Sequence, residues 1–471
     1  LAKAPGYRGS ELGNLTEWVG PLVGFLVPAF AFVVSIPRSF RVPRMESWFG
    51  LKKRYSLPWL VFSLVIMILD IVLWIIIVFA FSGPLIAGAI HEALIDHTVL
   101  DAVRETVEGA LQQPLPPQLR EEGRQDIAFA LVGSLMPGDG ELAAKIQSDI
   151  VSSAHGRRKL QALLTLLPSY GTRVGVPVFF YLGAYAYSLI DAENRRGDND
   201  TAHAIAFGLW YGVIVIGAIV SSSVLGIDNP ASLEAVFSES NPPITGFSQP
   251  WHFYESPFRT VWVWNRARLF QSWTHWAPLD PAICTKILSF RCRFWAAFSA
   301  ALLITIPCSF AFTVSYFTPE IGIGCRSLTI LVFVCSQNGL LIWWLYHNSS
   351  LRLQHKNKNI PWYKTKSFIL VHLWAGLCLI LGAFSTVGGT IMQLVGVYRN
   401  CICKAGIIQY AIHNENSTVR LSTDNQDHRD SWIFWNIFGI TGIAFIGVLS
   451  LFGWLYQART RARCRKLIEK L

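Results

Sequence analysis

Eight apolar runs, each about the length needed to cross a bilayer, constrain this chain more than any motif in it. They fall at roughly 16–36, 57–82, 174–190, 204–225, 294–317, 325–346, 367–398 and 432–457. About 20 consecutive apolar residues suffice to span the hydrocarbon core as a helix. Only helices and closed barrels satisfy every backbone polar group in lipid, and these runs lack the alternation of barrel strands. The chain is 52% hydrophobic and 15% charged, too little charge to cover a soluble protein of 471 residues. The expected fold is all-α, a polytopic transmembrane helix bundle of about 8 spans, with a ninth if part of 83–101 also crosses. The 18 tryptophans suit such a protein, because Trp anchors at headgroup level.

Charge between the spans suggests an orientation. The loop 347–366 carries Arg352, Lys356, Lys358, Lys364 and Lys366 and no acid, and the tail "RTRARCRKLIEK" is similarly basic. Both are expected on the cytoplasmic side. Counting back puts 226–293 inside, and 191–203 and 399–431 outside. Each outer loop has a glycosylation acceptor, Asn199 and Asn416. The loop 37–54 is also basic, yet an odd number of strong runs separates it from 347–366. Either the segment "GPLIAGAIHEALIDHTVL" inserts into the membrane or that loop breaks the charge rule. The net charge of +10 lies beside apolar spans and calls for membrane lipids as partners, with no nucleic acid.

The segments read as a two-span N-terminal part (1–82), a partly membrane-associated helical subdomain (83–172), a two-span hairpin (173–225), a connection (226–293) and a four-span C-terminal bundle (294–471). In the subdomain Val99, Val103, Val107 and Leu111 recur every four residues, as on an amphipathic helix. Prolines in "QQPLPPQ" end it, and further helices are expected near 124–135, 140–153 and 157–167. The connection interleaves Trp251, Trp262, Trp264, Trp273 and Trp276 with Arg259, Arg266 and Arg268, so it either lies along the interface or packs as an aromatic loop. The outer loop 399–431 is expected to fold as a β-hairpin turned at Asn414–Asn416.

The sharpest chemical anomaly is Asp70, near the middle of "LVIMILDIVLWIII". An ionisable group at that depth must face the bundle interior and be paired, protonated or hydrated. Ser336, Gln337 and Asn338 are mid-depth polar groups available to meet it. Such a mid-membrane polar site is either a substrate or ion pathway or a structural hydrogen bond between helices. A second candidate is the interfacial group His91, Glu92, Asp96 and His97. Its histidines are six apart, off the spacing of a zinc-protease helix, while Glu92 and Asp96 share a face. The small residues of "GAFSTVGGT" suit close helix contact. The acidic loop "DAENRRGDNDTAHA" lacks calcium-loop spacing and reads as a solvated connection, with Asp200 or Thr201 capping a helix that starts near His203. Cys325, Cys401 and Cys403 are disulfide candidates on the outer side. No metal framework, nucleophile elbow, nucleotide loop or dinucleotide fingerprint occurs, and the sequence specifies no cofactor.

At "GVPVFFYLGAYAYSLIDAENRRGDNDTAHAIAFGLWYG", "NPASLEAV" and "GGTIMQLVGVYRNCIC" the chain resembles uncharacterised polytopic integral membrane proteins of filamentous fungi. The likeness runs from "AFSGPLIAGAIHEALID" to the last span. It implies a fungal integral membrane protein and carries over no catalytic residues. Transport or channel activity is the leading expectation, in the plasma membrane or secretory pathway. The alternatives are a membrane enzyme acting on a lipid-soluble substrate and a non-catalytic, homo-oligomeric scaffold.

Overall fold

The computed structural model describes residues 22–35, 57–109, 116–132, 135–137, 148–150, 155–194, 199–227, 236–237, 258–260, 289–318, 323–356, 366–395, 398 and 426–471. The helices are α1 (Val27–Ser35, entered through a π turn, Leu22–Leu26), α2 (Leu57–Ala80), α3 (Ser82–Gly109), α4 (Pro117–Val132), α5 (Gly156–Leu166) and α6 (Val176–Asn194). They continue with α7 (Asn199–Ser222), α8 (Phe290–Tyr316), α9 (Cys325–Lys356), α10 (Lys366–Ala383), α11 (Gly389–Val395) and α12 (Gln426–Lys470). Among the described residues, six stretches are long and apolar enough to cross a membrane: Gly156–Asn194, Thr201–Ser222, Phe290–Tyr316, Cys325–Tyr346, Ile369–Val395 and Ser431–Lys470. A bent pair, Leu64–Ala80 with Ser82–Gly109, adds a seventh if it counts as one broken span. The first apolar run is represented by 22–35 alone, shorter than a crossing.

Helix α7 is the axis of the bundle. It is almost wholly buried, packing against α3, α6, α8 and α12. Glycines permit this closeness: a Cβ on Gly208 would stand 2.7 Å from the rings of Phe25 and Tyr185. The outer helices leave apolar side chains uncovered, among them Leu69 and Leu73 on α2, Phe179 on α6, Leu370 and Leu373 on α10, and Phe452 on α12. Large exposed apolar faces on several sides of a bundle are what lipid covers. The protein is membrane-embedded.

A second core lies at one end. Ile95, Val99, Val103 and Val107 of α3 meet Ile127 and Leu131 of α4, Leu160 and Leu163 of α5, and Leu467 and Ile468 of α12. The four-residue spacing on α3 thus faces its own bundle. Arg124 Nη2 donates to the Leu471 backbone oxygen at 2.9 Å, and burial pushes the Arg124 pKa below the ordinary arginine value. Strand β1 (Leu135–Pro137) pairs antiparallel with β2 (Phe258–Thr260), so Arg259 sits opposite Met136 and ties the start of the Trp-rich connection to this module. Trp251, Trp262, Trp264, Trp273, Trp276, Arg266 and Arg268 lie outside the described residues, as does the expected hairpin at Asn414–Asn416.

The connection 191–203 is shorter than its charges suggest. Helix α6 continues through Asp191 to Asn194, where Glu193 Oε2 accepts from Asn436 Nδ2 at 3.1 Å. Helix α7 begins at Asn199, so Asp200 and Thr201 belong to its first turn and precede no later helix start at His203. Short polar residues are favourable there because they meet the unpaired N–H groups and dipole of a helix N-terminus.

Candidate functional site

Two polar regions occupy the bundle, and the structure separates groups that sequence position brings together. The first is the corner between α2 and α3, whose axes meet at 78°. Such a bend leaves carbonyls at the end of one helix and N–H groups at the start of the next without helical partners. Gln337, 0% exposed on α9, supplies both needs. Its Oε1 accepts from Gly83 N at 2.9 Å and from Ser82 Oγ at 3.2 Å, while its Nε2 donates to Ala80 O at 3.1 Å. One amide side chain therefore closes two helix ends. Gly83 and Gly382 make room: a Cβ on Gly83 would lie 3.0 Å from Gln337 O, and one on Gly382 would lie 3.1 Å from Gln337 Nε2.

The neighbours of Gln337 turn back on their own helix. Ser336 Oγ donates to Phe333 O at 2.7 Å, and Asn338 Nδ2 donates to Val334 O at 2.9 Å. Asp70 lies ten residues before Ala80 on α2. At 1.5 Å per residue that sets it about 15 Å along the axis from the corner. The triplet's hydrogen bonds are those of a helix clasp, and the Asp70 side chain lies outside the described residues.

The second region is the first half of α3. His91, Glu92 and Asp96 are each 1% exposed, whereas the His97 side chain is 57% exposed and pairs with Asp101 at 2.7 Å. A 3.6-residue period accounts for the split, because 92 and 96 stack on one face, 91 flanks them, and 97 rotates away. The His91 ring lies 6.0 Å from the Trp344 ring of α9, edge to face. Asp96 Oδ2 accepts from Leu225 N at 2.9 Å, just past the end of α7. From α12, Tyr456 Oη donates to Ala93 O at 2.9 Å. Arg293, 3% exposed, stands in the first turn of α8, which packs along α3. Helices α3, α7, α9 and α12 therefore converge on two successive turns carrying two carboxyls and an imidazole.

Two carboxyls one turn apart in a dry bundle need a hydrogen bond, a countercharge or a proton to offset their desolvation. Among the described residues no group of three or more His, Cys, Asp or Glu is placed to hold a metal ion.

The remaining sequence candidates divide by position. Asn199 opens α7, while Asn416, Cys401 and Cys403 lie outside the described residues. Among the described residues the free thiols are Cys292, Cys308, Cys335, Cys378 and Cys464. Sequence reading passed over His203, a lone histidine in the apolar run of α7, which is 2% exposed with both ring nitrogens buried and without a hydrogen-bond partner. Its signal was visible as an imidazole at the head of an otherwise apolar helix.

No family model matches the chain, and neither a curated protein nor a solved structure matches it.

Proposed function

We propose that this chain is a membrane transport protein whose working group is the ionisable turn of α3. The reading rests on one observation, the burial of His91, Glu92 and Asp96 at 1% exposure each on adjacent turns inside a membrane bundle. Ionisable side chains at such positions are costly and mark ion or proton pathways more often than packing. Support comes from the start of α3, which lies at a broken corner beside Gln337. Discontinuous helices of this kind line the solute and ion sites of many transporters. Glu92 and Asp96 take up and release the proton, and His91 is positioned to pass it on. The polar triplet at Ser336–Asn338 serves as the clasp that fixes the start of α3.

The test uses purified protein in liposomes on a solid-supported membrane, subjected to rapid pH jumps. The expected result is a transient charge displacement that Glu92→Gln or Asp96→Asn abolishes while His97→Ala leaves it intact. Equal currents in wild type and both variants, or none in wild type, refute the reading.

We infer also that Cys325 is bridged to Cys401 or Cys403. Cys325 stands apart from the five free thiols. Tyr398 Oη donates to Thr329 Oγ1 at 3.0 Å, which brings the chain three residues before Cys401 to within one turn of Cys325. Three residues reach about 10 Å at most. Peptide mapping without reduction is expected to recover the linked pair, and two free thiols at Cys401 and Cys403 would refute it. The fungal resemblance, and residence in the plasma membrane or secretory pathway, extend the same reading of the chain.

A further inference from the structure

Helices α8 and α12 pack antiparallel, and this sets the depth of an exposed tryptophan on each. The Phe310 and Phe438 rings lie 5.5 Å apart, and those of Phe317 and Phe434 lie 4.6 Å apart. Trp295 comes fifteen residues before Phe310, and Trp454 comes sixteen after Phe438. Either separation is about 23 Å along a helix axis. The two tryptophans therefore share one depth, at the end of the bundle where α12 turns basic. They are 52% and 49% exposed. Exposed tryptophans at a common depth mark the headgroup level of a bilayer.

An exposed arginine stands just beyond this level on each helix. Arg459 follows Trp454 by five residues, and Arg291 precedes Trp295 by four, a further 6–8 Å or about that outward. Neither forms an ion pair with a described residue, unlike Arg463, which pairs with Asp101 of α3. No Asp or Glu occurs in α8, nor in α12 between Trp454 and Lys466. Arg291 also lies in the first turn of α8, which holds no acid. A cation there opposes the helix dipole, and an external anion relieves that opposition.

We propose that this end of the bundle binds acidic phospholipids, whose headgroup phosphates meet Arg291 and Arg459. The acyl chains lie along Phe294 and Phe298 of α8 and Phe452 of α12, which are 43%, 44% and 64% exposed. A guanidinium presents paired donors to a phosphate. The net negative charge of an acidic headgroup adds an attraction that a zwitterionic lipid lacks. The inference needs the membrane-embedded bundle alone and is independent of the proton chemistry assigned to α3.

Purified full-length protein in a neutral detergent is incubated with equal amounts of phosphatidylserine and phosphatidylcholine carrying the same acyl chains. Bound lipid is then counted by native mass spectrometry. The expected result is a preference of about fivefold or more for phosphatidylserine. That preference falls toward parity in the Arg291→Gln, Arg459→Gln double variant. The Arg291→Lys, Arg459→Lys double variant, which keeps both charges, retains it. Both side chains are exposed, so either double variant keeps the wild-type unfolding temperature, measured in parallel. Glycerophosphoserine at the same concentration, a headgroup without acyl chains, leaves the bound lipid in place. Equal occupancy by the two lipids, an undiminished preference in the glutamine double variant, or displacement by glycerophosphoserine overturns the proposal.

Discussion

Replacing Gln337 with leucine removes the clasp without removing volume, and the structure sets what that change does. Three hydrogen bonds disappear, and Gly83 N and Ala80 O remain in a position without water. An abandoned buried polar group costs about 1–3 kcal/mol, so the two backbone groups give about 2–6 kcal/mol. Hydrogen bonds between membrane helices measure nearer 0.6 kcal/mol each, because the unfolded chain in lipid also finds partners. The backbone groups at a helix break have few such alternatives, so we expect about 2–4 kcal/mol. Gln337→Glu keeps the acceptor toward Gly83 but loses the donor toward Ala80, and falls between. Reversible unfolding in mixed micelles, followed by tryptophan fluorescence, measures the loss. A Gln337→Leu protein within about 0.5 kcal/mol of wild type would refute the argument that this amide closes the corner.

Three further predictions concern packing and docking. Gly208→Ala puts a methyl 2.7 Å from the rings of Phe25 and Tyr185 and is expected to destabilise by about 1–3 kcal/mol, whereas Gly376→Ala, with nothing within 4 Å, leaves the melting temperature unchanged. Arg124→Ala removes the bond to the Leu471 oxygen, so hydrogen exchange over 464–471 accelerates while the transmembrane helices keep their protection. Tyr456→Phe deletes the donor to Ala93 O and costs about 1 kcal/mol in the same unfolding assay, without altering α12 itself.

Much of the bundle is legible in the order of residues, because the requirement that acts in lipid is local. The runs at 204–225, 294–317 and 325–346 differ from α7, α8 and α9 mainly where polar residues extend a helix past the hydrocarbon. The corner at Phe81 also leaves a trace, since Ser82, Gly83 and Pro84 are residues suited to a helix start. The length of α3 is harder to read. His91, Glu92 and Asp96 lower its hydropathy, and only contacts from α7, α9 and α12 explain why it continues to Gly109 as one helix. Gln337 is conspicuous as a polar group at mid-depth, yet its partners are more than 250 positions away and its role as a double cap is invisible without them. Depth alone does not pair Asp70 with that triplet, because depth along two helices says nothing about the angle between them. For His203 the sequence shows the residue, and only the fold shows that both nitrogens lack a partner.

The most direct test of the account is whether the carboxyls of α3 change protonation inside the folded bundle. Infrared difference spectra of the reconstituted protein, recorded between neutral and alkaline buffer, report the carbonyl band of a protonated carboxylic acid. The account predicts a band that disappears as pH rises, insensitive to exchange of the bulk buffer ion, and missing from the Glu92→Gln, Asp96→Asn double variant. A band that persists in that double variant, or no protonated carboxyl at any pH in the wild type, would contradict it.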